Sequence, residues 1–343
     1  MILTMQEYVL QSLHEDEKNV ILNRQKYNTV KNKIFMLTDG GAGRVLCAIP
    51  ALEHYAMSNR NFHIITYTDA KSNFFVGNTL LEPHTHVWEE KDLFTNFVKD
   101  GEVIKLEPYY VTEYFTQKCS LSQAFDLEIN GKHSIGNKTP KIYFDPSEDN
   151  TSKNFIEALK QEYKKDKVLV IQPYGQSAEL YPEGVIDNFN RSFFMEDVVS
   201  LITRLRDEFV IMFMGHIRLN VSNVLNGFNI NDNSLVYLDV TLRQWAGFIK
   251  FADHFLGCDS VGQHLAKSVG QKATVITGGT FPINISYPDD DDFTIFDLGK
   301  DKRIYDPIRI TCFDEKSSET NKGIMKMNND TIEKIVDNIM VKS

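Results

Sequence analysis

Short apolar runs alternate with amphipathic stretches along most of this chain. Lys33 to Thr38 (KIFMLT), Phe62 to Tyr67 (FHIITY), Lys167 to Gln172 (KVLVIQ), Glu208 to Met214 (EFVIMFM), Ser234 to Leu238, His254 to Gly257 and Ala273 to Thr277 each read as a buried strand. Val45 to Ala56, Met195 to Leu205, Leu242 to Phe251 and His264 to Val269 have helical spacing, with Pro50 as a kink or first-turn residue and Gly270 as a stop. Val103 to Leu106, Phe125 to Ile129 and Lys141 to Phe144 are further strand candidates, and Pro108 to Phe115 is an aromatic-rich irregular insert. Residues 1 to 30 carry Tyr8, Leu13, Val20 and Ile21 at intervals suited to one or two amphipathic helices.

Strands alternating with helices imply parallel sheets covered on both faces. At 343 residues the chain exceeds what one core usually supports, so two α/β domains are expected. The first covers residues 1 to 155 and the second 156 to 325, with the polar tract Asp145 to Lys153 as linker. A last helix, within residues 326 to 343, is expected to pack back onto the first domain.

Composition narrows the partners. A net charge of −10 opposes sequence-independent attraction to nucleic acid, which comes from clustered Lys and Arg. Lys153 to Lys167 and Lys300 to Arg309 are the stretches where a basic face could form, and both read as solvated surface. No segment approaches the roughly 18 apolar residues of a membrane span, and the first residues are acidic rather than a signal peptide. A cytoplasmic protein is expected. The four cysteines are far apart and form no Cys-x-x-Cys pair, so neither a zinc site nor a disulfide framework is indicated, and no metal ligands are assigned. The run Asp289 to Asp292 reads as a solvated loop.

Two strand-loop-helix units concentrate the polar residues where ligands bind in open α/β sheets, at strand carboxyl ends facing a helix N-terminus. In the later unit Asp259, Ser260, Gly262, Gln263 and His264 form one wall of a site for a phosphorylated ligand, and Gly278, Gly279 and Thr280 close the following strand beside it. Gly215 and His216 end another strand. The earlier unit is Asp39-Gly40-Gly41-Ala42-Gly43-Arg44, whose glycines permit a tight turn and close backbone approach.

Three blocks together resemble a known family. Asp39 to Leu52 (DGGAGRVLCAIPAL) is similar to a Gly-x-Gly-Asp-Val-Leu loop followed by a Pro-Ala-Leu helix. Arg191 to Leu205 (RSFFMEDVVSLITRL) is similar to a Lys-x-Trp segment leading into a helix, with Arg191 and Phe193 in the Lys and Trp places. Asp259 to Leu265 (DSVGQHL) is similar to Asp-Ser/Thr-Gly-x-x-His-Leu. On these residues the chain resembles glycosyltransferase family nine, the ADP-heptose:lipopolysaccharide heptosyltransferases of GT-B fold.

The resemblance implies two Rossmann-like domains with mostly parallel sheets facing a central cleft. It also implies a nucleotide-diphosphate sugar donor held by the second domain, a hydroxyl acceptor presented by the first, and no cofactor or essential metal. Arg191, the amides around Ser260 to His264, and His264 itself are then the groups that meet the diphosphate, while Gly40, Gly41, Gly43 and Arg44 face the acceptor. The chain departs from the pattern in three places. Arg44 stands where the family has the aspartate that resemblance would make the base, and an arginine accepts no proton at working pH; Asp39 is the nearest carboxylate that can take that role. Val261 precedes the displaced Gly262. Residues Gln176 to Asn190 lengthen the Pro173-Tyr174-Gly175 loop, which is similar to the family's His-Pro-Gly loop.

The acceptor stays open between a surface glycan and a hydroxymethylated DNA base of the kind viral DNA-modifying glycosyltransferases use. Two other classes stand beside the transferase: a nucleotide-sugar-binding protein without turnover, and a dinucleotide-dependent oxidoreductase. The latter lacks the third glycine of Gly-x-Gly-x-x-Gly, where Leu46 stands.

Overall fold

In the computed structural model, residues 32–131, 139–181, 184–217, 235–304 and 321–343 are described. The helices expected in residues 1 to 30 lie outside them. The first lobe opens with β1 (Lys33–Leu37) and α1 (Ala42–Ser58), then β2 (Phe62–Thr66), β3 (Thr85–Val87), β4 (Glu102–Lys105) and α2 (Leu121–Asn130). Its four strands are parallel in the order β3-β2-β1-β4. Pro50 lies inside α1.

The second lobe runs α3 (Pro146–Tyr163), β5 (Lys167–Gln172), β6 (Ala178–Tyr181), β7 (Gly184–Asp187), α4 (Met195–Leu205), β8 (Phe209–Phe213) and β9 (Leu235–Tyr237). It continues through α5 (Leu242–Phe251), β10 (His254–Cys258), α6 (Val261–Val269), β11 (Ala273–Thr277), β12 (Phe293–Asp297) and α7 (Asn329–Lys342). Six strands form a parallel sheet in the order β12-β11-β10-β5-β8-β9, and β6 and β7 form a separate antiparallel hairpin. The central strands β8, β10 and β11 are buried throughout, as strands covered on both faces must be.

Four sequence expectations change. Phe125 to Ile129 is not a strand but part of α2, because Leu121, Phe125 and Ile129 recur every four residues on its buried face. Lys141 to Phe144 is not in a strand. Asp145 to Lys153 is not a linker: Asp145 accepts from the amides of Ser147 and Glu148, Glu148 reaches back to the Asp145 amide, and Pro146 occupies the first turn of α3. That helix packs on α5 and β5, so the second lobe begins near Asp145 rather than at residue 156.

The last helix also differs from expectation. Ile332, Ile335 and Ile339 of α7 join the core of the second lobe with Leu169, Ile211 and Ile276, and Thr274 Oγ1 donates to Asn338 Oδ1 at 2.9 Å. Its apolar stripe is spent on the second sheet, not on the first.

The two lobes share one continuous core. α1 of the first packs against α6 of the second, which places Val45, Leu46, Leu265 and Ala266 in a single buried cluster. Arg243 at the start of α5 adds a polar clasp. It binds both carboxylate oxygens of Glu148 at 2.6 and 2.7 Å and donates to the carbonyls of Asn73, Val76 and Tyr143.

Candidate functional site

A cleft of about 680 Å³ opens between the lobes at the carboxyl ends of both sheets. Of the residues expected from sequence, Gly41, Gly43 and Arg44 line it from the first lobe, and Arg191, Gly215, His216, Asp259, Ser260 and His264 from the second. Asp39, Gly40, Gly262, Gln263, Gly278, Gly279 and Thr280 lie behind or beside that lining, each for a specific reason.

The mouth of α6 is narrower than the sequence implies. Ser260 is the N-cap residue but makes no capping bond, and its Oγ accepts from Gln172 Nε2 at 3.2 Å. The other end of the same amide, Gln172 Oε1, accepts from the Gly262 N–H at 2.7 Å. A helix amide expected to face phosphate is therefore already satisfied by the last residue of β5. Gly262 is a packing glycine, since a Cβ there would stand 2.4 Å from Gln172 Oε1 and 2.5 Å from the Phe255 ring.

Asp259 is buried beside this mouth, where it accepts from Thr280 Oγ1 at 2.9 Å and Gln263 Nε2 at 3.1 Å. Burial pushes its carboxyl above the usual range, and the nearby Arg191 charge opposes the rise. Thr280 and Gln263 thus act on Asp259 rather than on the cleft. Gly278 packs where a Cβ would meet Met325 Sδ at 2.5 Å, its carbonyl accepts from Arg303, and Gly279 sits near Asn321. This turn holds the segment after residue 320 and does not line the cleft, contrary to its expected place at a diphosphate.

Two arginines among the described residues line the cleft, and Arg191 is the one not bound to backbone carbonyls. Its Nε is buried with no hydrogen-bond partner, and the guanidinium lies 5.1 Å from the Phe189 ring. The backbone beneath it is organised by Asp187, which accepts from the amides of Phe189, Arg191 and Ser192 and from the hydroxyls of Ser177 and Ser192. Burial raises the Asp187 carboxyl, yet these hydrogen bonds and the Arg191 charge outweigh it and hold the group below the usual carboxylate range.

The lengthened loop is the β6–β7 hairpin, and Asp187 is its foot. His216 also grips it: Nε2 donates to the Ala178 carbonyl at 2.9 Å. Gly215 has φ of 145°, a conformation that requires glycine at this strand end.

His264 joins the lobes as well as lining the cleft. The Tyr287 hydroxyl is hydrogen-bonded to Nδ1 at 2.8 Å, and Cys47 Sγ lies 3.5 Å from the same nitrogen. Burial lowers the imidazole to about 4 and raises the Cys47 thiol to about 12, so both are neutral near pH 7. The neutral ring carries one proton, and in the tautomer with that proton on Nε2 it accepts from Tyr287 at Nδ1 and offers a hydrogen-bond donor at Nε2. A Cβ on Gly43 would stand 2.6 Å from His264 Cδ2. Gly43→Ala is therefore expected to destabilise the protein by about 1–3 kcal/mol by forcing α1 away from α6, measurable by urea unfolding.

The acceptor-side expectations are partly redirected. Arg44 is almost fully buried; it donates to the carbonyls of Asp39 and Leu106, pairs with Glu107 at 3.4 Å and lies over the Tyr109 ring. Its charge is paired inside the first lobe, while its Nε, like that of Arg191, is buried with no hydrogen-bond partner. The Gly40 carbonyl accepts from Lys71 Nζ at 2.7 Å, and Asp39 Oδ2 pairs with Lys105 Nζ at 2.9 Å at the rim. That carboxylate also draws the Lys105 ammonium above its ordinary value.

Several lining residues escaped the sequence reading: Gln172, Tyr109, Tyr114, Trp245 and Asp239. Asp239 is an exposed carboxylate just past β9. The strand-end rule that singled out His216 applies equally to it.

No protein-family model matches the chain, and no curated protein sequence does. Solved structures do. A family 9 glycosyl transferase from Veillonella parvula superposes with a TM-score of 0.64 at 12% identity, covering 91% of this chain and 98% of its own. Escherichia coli ADP-heptose lipopolysaccharide heptosyltransferase II gives 0.58 at 9% identity, covering 90% and 98%. The fold is that of the GT-B glycosyltransferases. A third GT-B relative in shape, the iron-containing dodecameric glycosyltransferase TibC from enterotoxigenic E. coli, gives 0.55 at 9% identity over 91% of this chain and 76% of its own. Among the described residues of this GT-B chain, no group of three His, Cys, Asp or Glu could hold a metal ion, and no helix is long and apolar enough to cross a membrane.

Proposed function

We propose that this chain transfers a sugar from a nucleotide-diphosphate donor in the second lobe to a hydroxyl acceptor presented by the first. The observation that carries the reading is Arg191. A guanidinium with a buried, unpartnered Nε on the wall of an interlobe cleft is placed to receive an anion, and a diphosphate takes two parallel hydrogen bonds from that fork. During transfer, negative charge grows on the phosphate oxygen that leaves the sugar. Arg191 stabilises it, and Nε2–H of His264 and the remaining amides of the α6 mouth add neutral donors in a partly desolvated site. The reading assigns this task to protein groups and requires no resident cofactor or metal.

The acceptor hydroxyl must lose a proton as it attacks the sugar carbon, and the base is a carboxylate at a strand end of one of the two lobes. Asp39, at the carboxyl end of β1, takes that role in the first reading, with Lys105 Nζ paired to it at 2.9 Å. A second reading is favoured by position: Asp239 lines the cleft, whereas Asp39 does not. Asp39→Asn and Asp239→Asn separate the two. The base variant is expected to lose turnover by about two to four orders of magnitude while the nucleotide-induced rise in thermal stability persists. Normal sugar transfer by both variants would remove both assignments.

The oxidoreductase reading gains nothing from this geometry, because Gly41 to Arg44 open α1 beside His264 and the Arg44 guanidinium is buried. A binding protein without turnover is distinguished by failure to hydrolyse or transfer any nucleotide sugar that it binds.

A further inference from the structure

A pair of exposed rings stands on the same edge of the first sheet, outside the cleft. β2 and β3 are parallel and paired through Thr66 and Val87, and the Trp88 amide donates to the Thr66 carbonyl at 2.8 Å. The next residues, Tyr67 and Trp88, therefore leave the carboxyl ends of two adjacent strands, 55% and 50% exposed. Adjacent strands are about 4.8 Å apart, so this shelf begins one strand from the β1 end that carries Asp39 and extends to two. Lys71, on the turn after β2, ties the two regions together through the Gly40 carbonyl.

We propose that Tyr67 and Trp88 form a stacking shelf for a neutral sugar ring of an oligosaccharide acceptor. The word acceptor rests on the transferase reading; the capacity to hold a sugar does not. Ligands of open α/β sheets bind at strand carboxyl ends, and a pyranose presents a face of C–H groups that packs on aromatic rings. Its hydroxyls need acceptors at the edge of the stack. The exposed carboxylates flanking the rings are Asp69, Glu89 and Glu90, the last held by His86 at 3.0 Å. Against these stand two ammoniums, Lys91 and Lys71, and Lys71 is turned to the Gly40 carbonyl. This chemistry suits sugar hydroxyls, which donate to carboxylates, and opposes phosphodiesters, which need cations. It therefore separates a glycan from a modified DNA base, the two acceptors that the sequence left open.

The test uses the full chain and the acrylamide-accessible part of its tryptophan fluorescence, which belongs to Trp88 because the second tryptophan, Trp245, is buried. Acrylamide is expected to quench Trp88 freely, and titration with millimolar neutral tri- to pentasaccharides of glucose, mannose and N-acetylglucosamine to protect it. Tyr67→Ala is expected to weaken binding of the best sugar about tenfold. Trp88→Ala is expected to abolish the saturation-transfer NMR signal of that sugar, and Trp88→Phe to retain it. ADP binding by the wild-type protein is measured alongside, so failure of the donor reading and failure of the shelf are read separately. The proposal is overturned if no saccharide protects Trp88, if a hydroxymethylated DNA duplex protects it instead, or if acrylamide cannot reach it because another part of the chain covers it.

Discussion

Replacing Arg243 with alanine is expected to lower stability by about 3 kcal/mol. The side chain is 8% exposed and binds both oxygens of Glu148 and three backbone carbonyls, so its loss leaves a carboxylate and several acceptors without their donor. Those partners belong to the first lobe, to the chain leading out of it and to α3, which makes Arg243 the clasp that sets one lobe against the other. Arg243→Lys keeps a charge but not the planar fork and is expected to recover less than half of the loss.

The pH dependence provides a check with a defined sign. The hydrogen bond from Arg243 is the largest influence on Glu148 and holds its carboxyl below the usual range. A depressed carboxyl contributes stability above its unfolded value, and that contribution disappears as pH falls through the folded value. The difference between wild type and Arg243→Ala, measured by urea unfolding, should therefore shrink in acid below the ordinary glutamate range. A difference independent of pH would mean that the carbonyl contacts alone matter.

Arg191→Gln is expected to weaken nucleoside-diphosphate binding about a hundredfold, the yield of two charge-assisted hydrogen bonds at about 1.4 kcal/mol per tenfold. Arg191→Lys should lose about tenfold, because a point charge replaces a fork. Stability should fall by much less than binding. The guanidinium Nε has no hydrogen-bond partner, and what Arg191→Gln gives up is the contact with Phe189, of roughly 0.5–1 kcal/mol, together with the charge that eases the burial of Asp187 and Asp259, which Arg191→Lys keeps. Calorimetric titration paired with unfolding measures both quantities. Equal losses in binding and stability would make Arg191 a structural residue of the hairpin foot.

The parallel sheets were legible because their central strands are continuous apolar runs: KVLVIQ, FVIMF and ATVIT need no context to be recognised as buried. The site was legible only as far as strand ends identify it. Gly215, His216, Asp259, Ser260 and His264 were reachable by that rule and Arg191 by the family resemblance, and all line the cleft. The rule misplaced Gly262, Gly278 and Gly279, because a glycine needed for ligand approach and a glycine needed beside Phe255 or Met325 are the same letter.

Pairs distant in sequence were not legible. Gln172 lies 90 residues from the amide it occupies, and Arg44 is buried by Leu106 and Glu107. The opening of α3 was different: Asp145-Pro146-Ser147-Glu148 is a reciprocal cap followed by Ile156 and Leu159 on one face, and its polar composition concealed that pattern.

The most direct measurement of the central claim is calorimetric titration of the wild-type protein with ADP, GDP, UDP and CDP, each beside its parent nucleoside. If the interlobe cleft grips a diphosphate through Arg191, at least one diphosphate should bind about a hundredfold more tightly than its nucleoside, and Arg191→Gln should erase that advantage. Equal affinity for nucleoside and diphosphate, or an advantage that survives in Arg191→Gln, would contradict it.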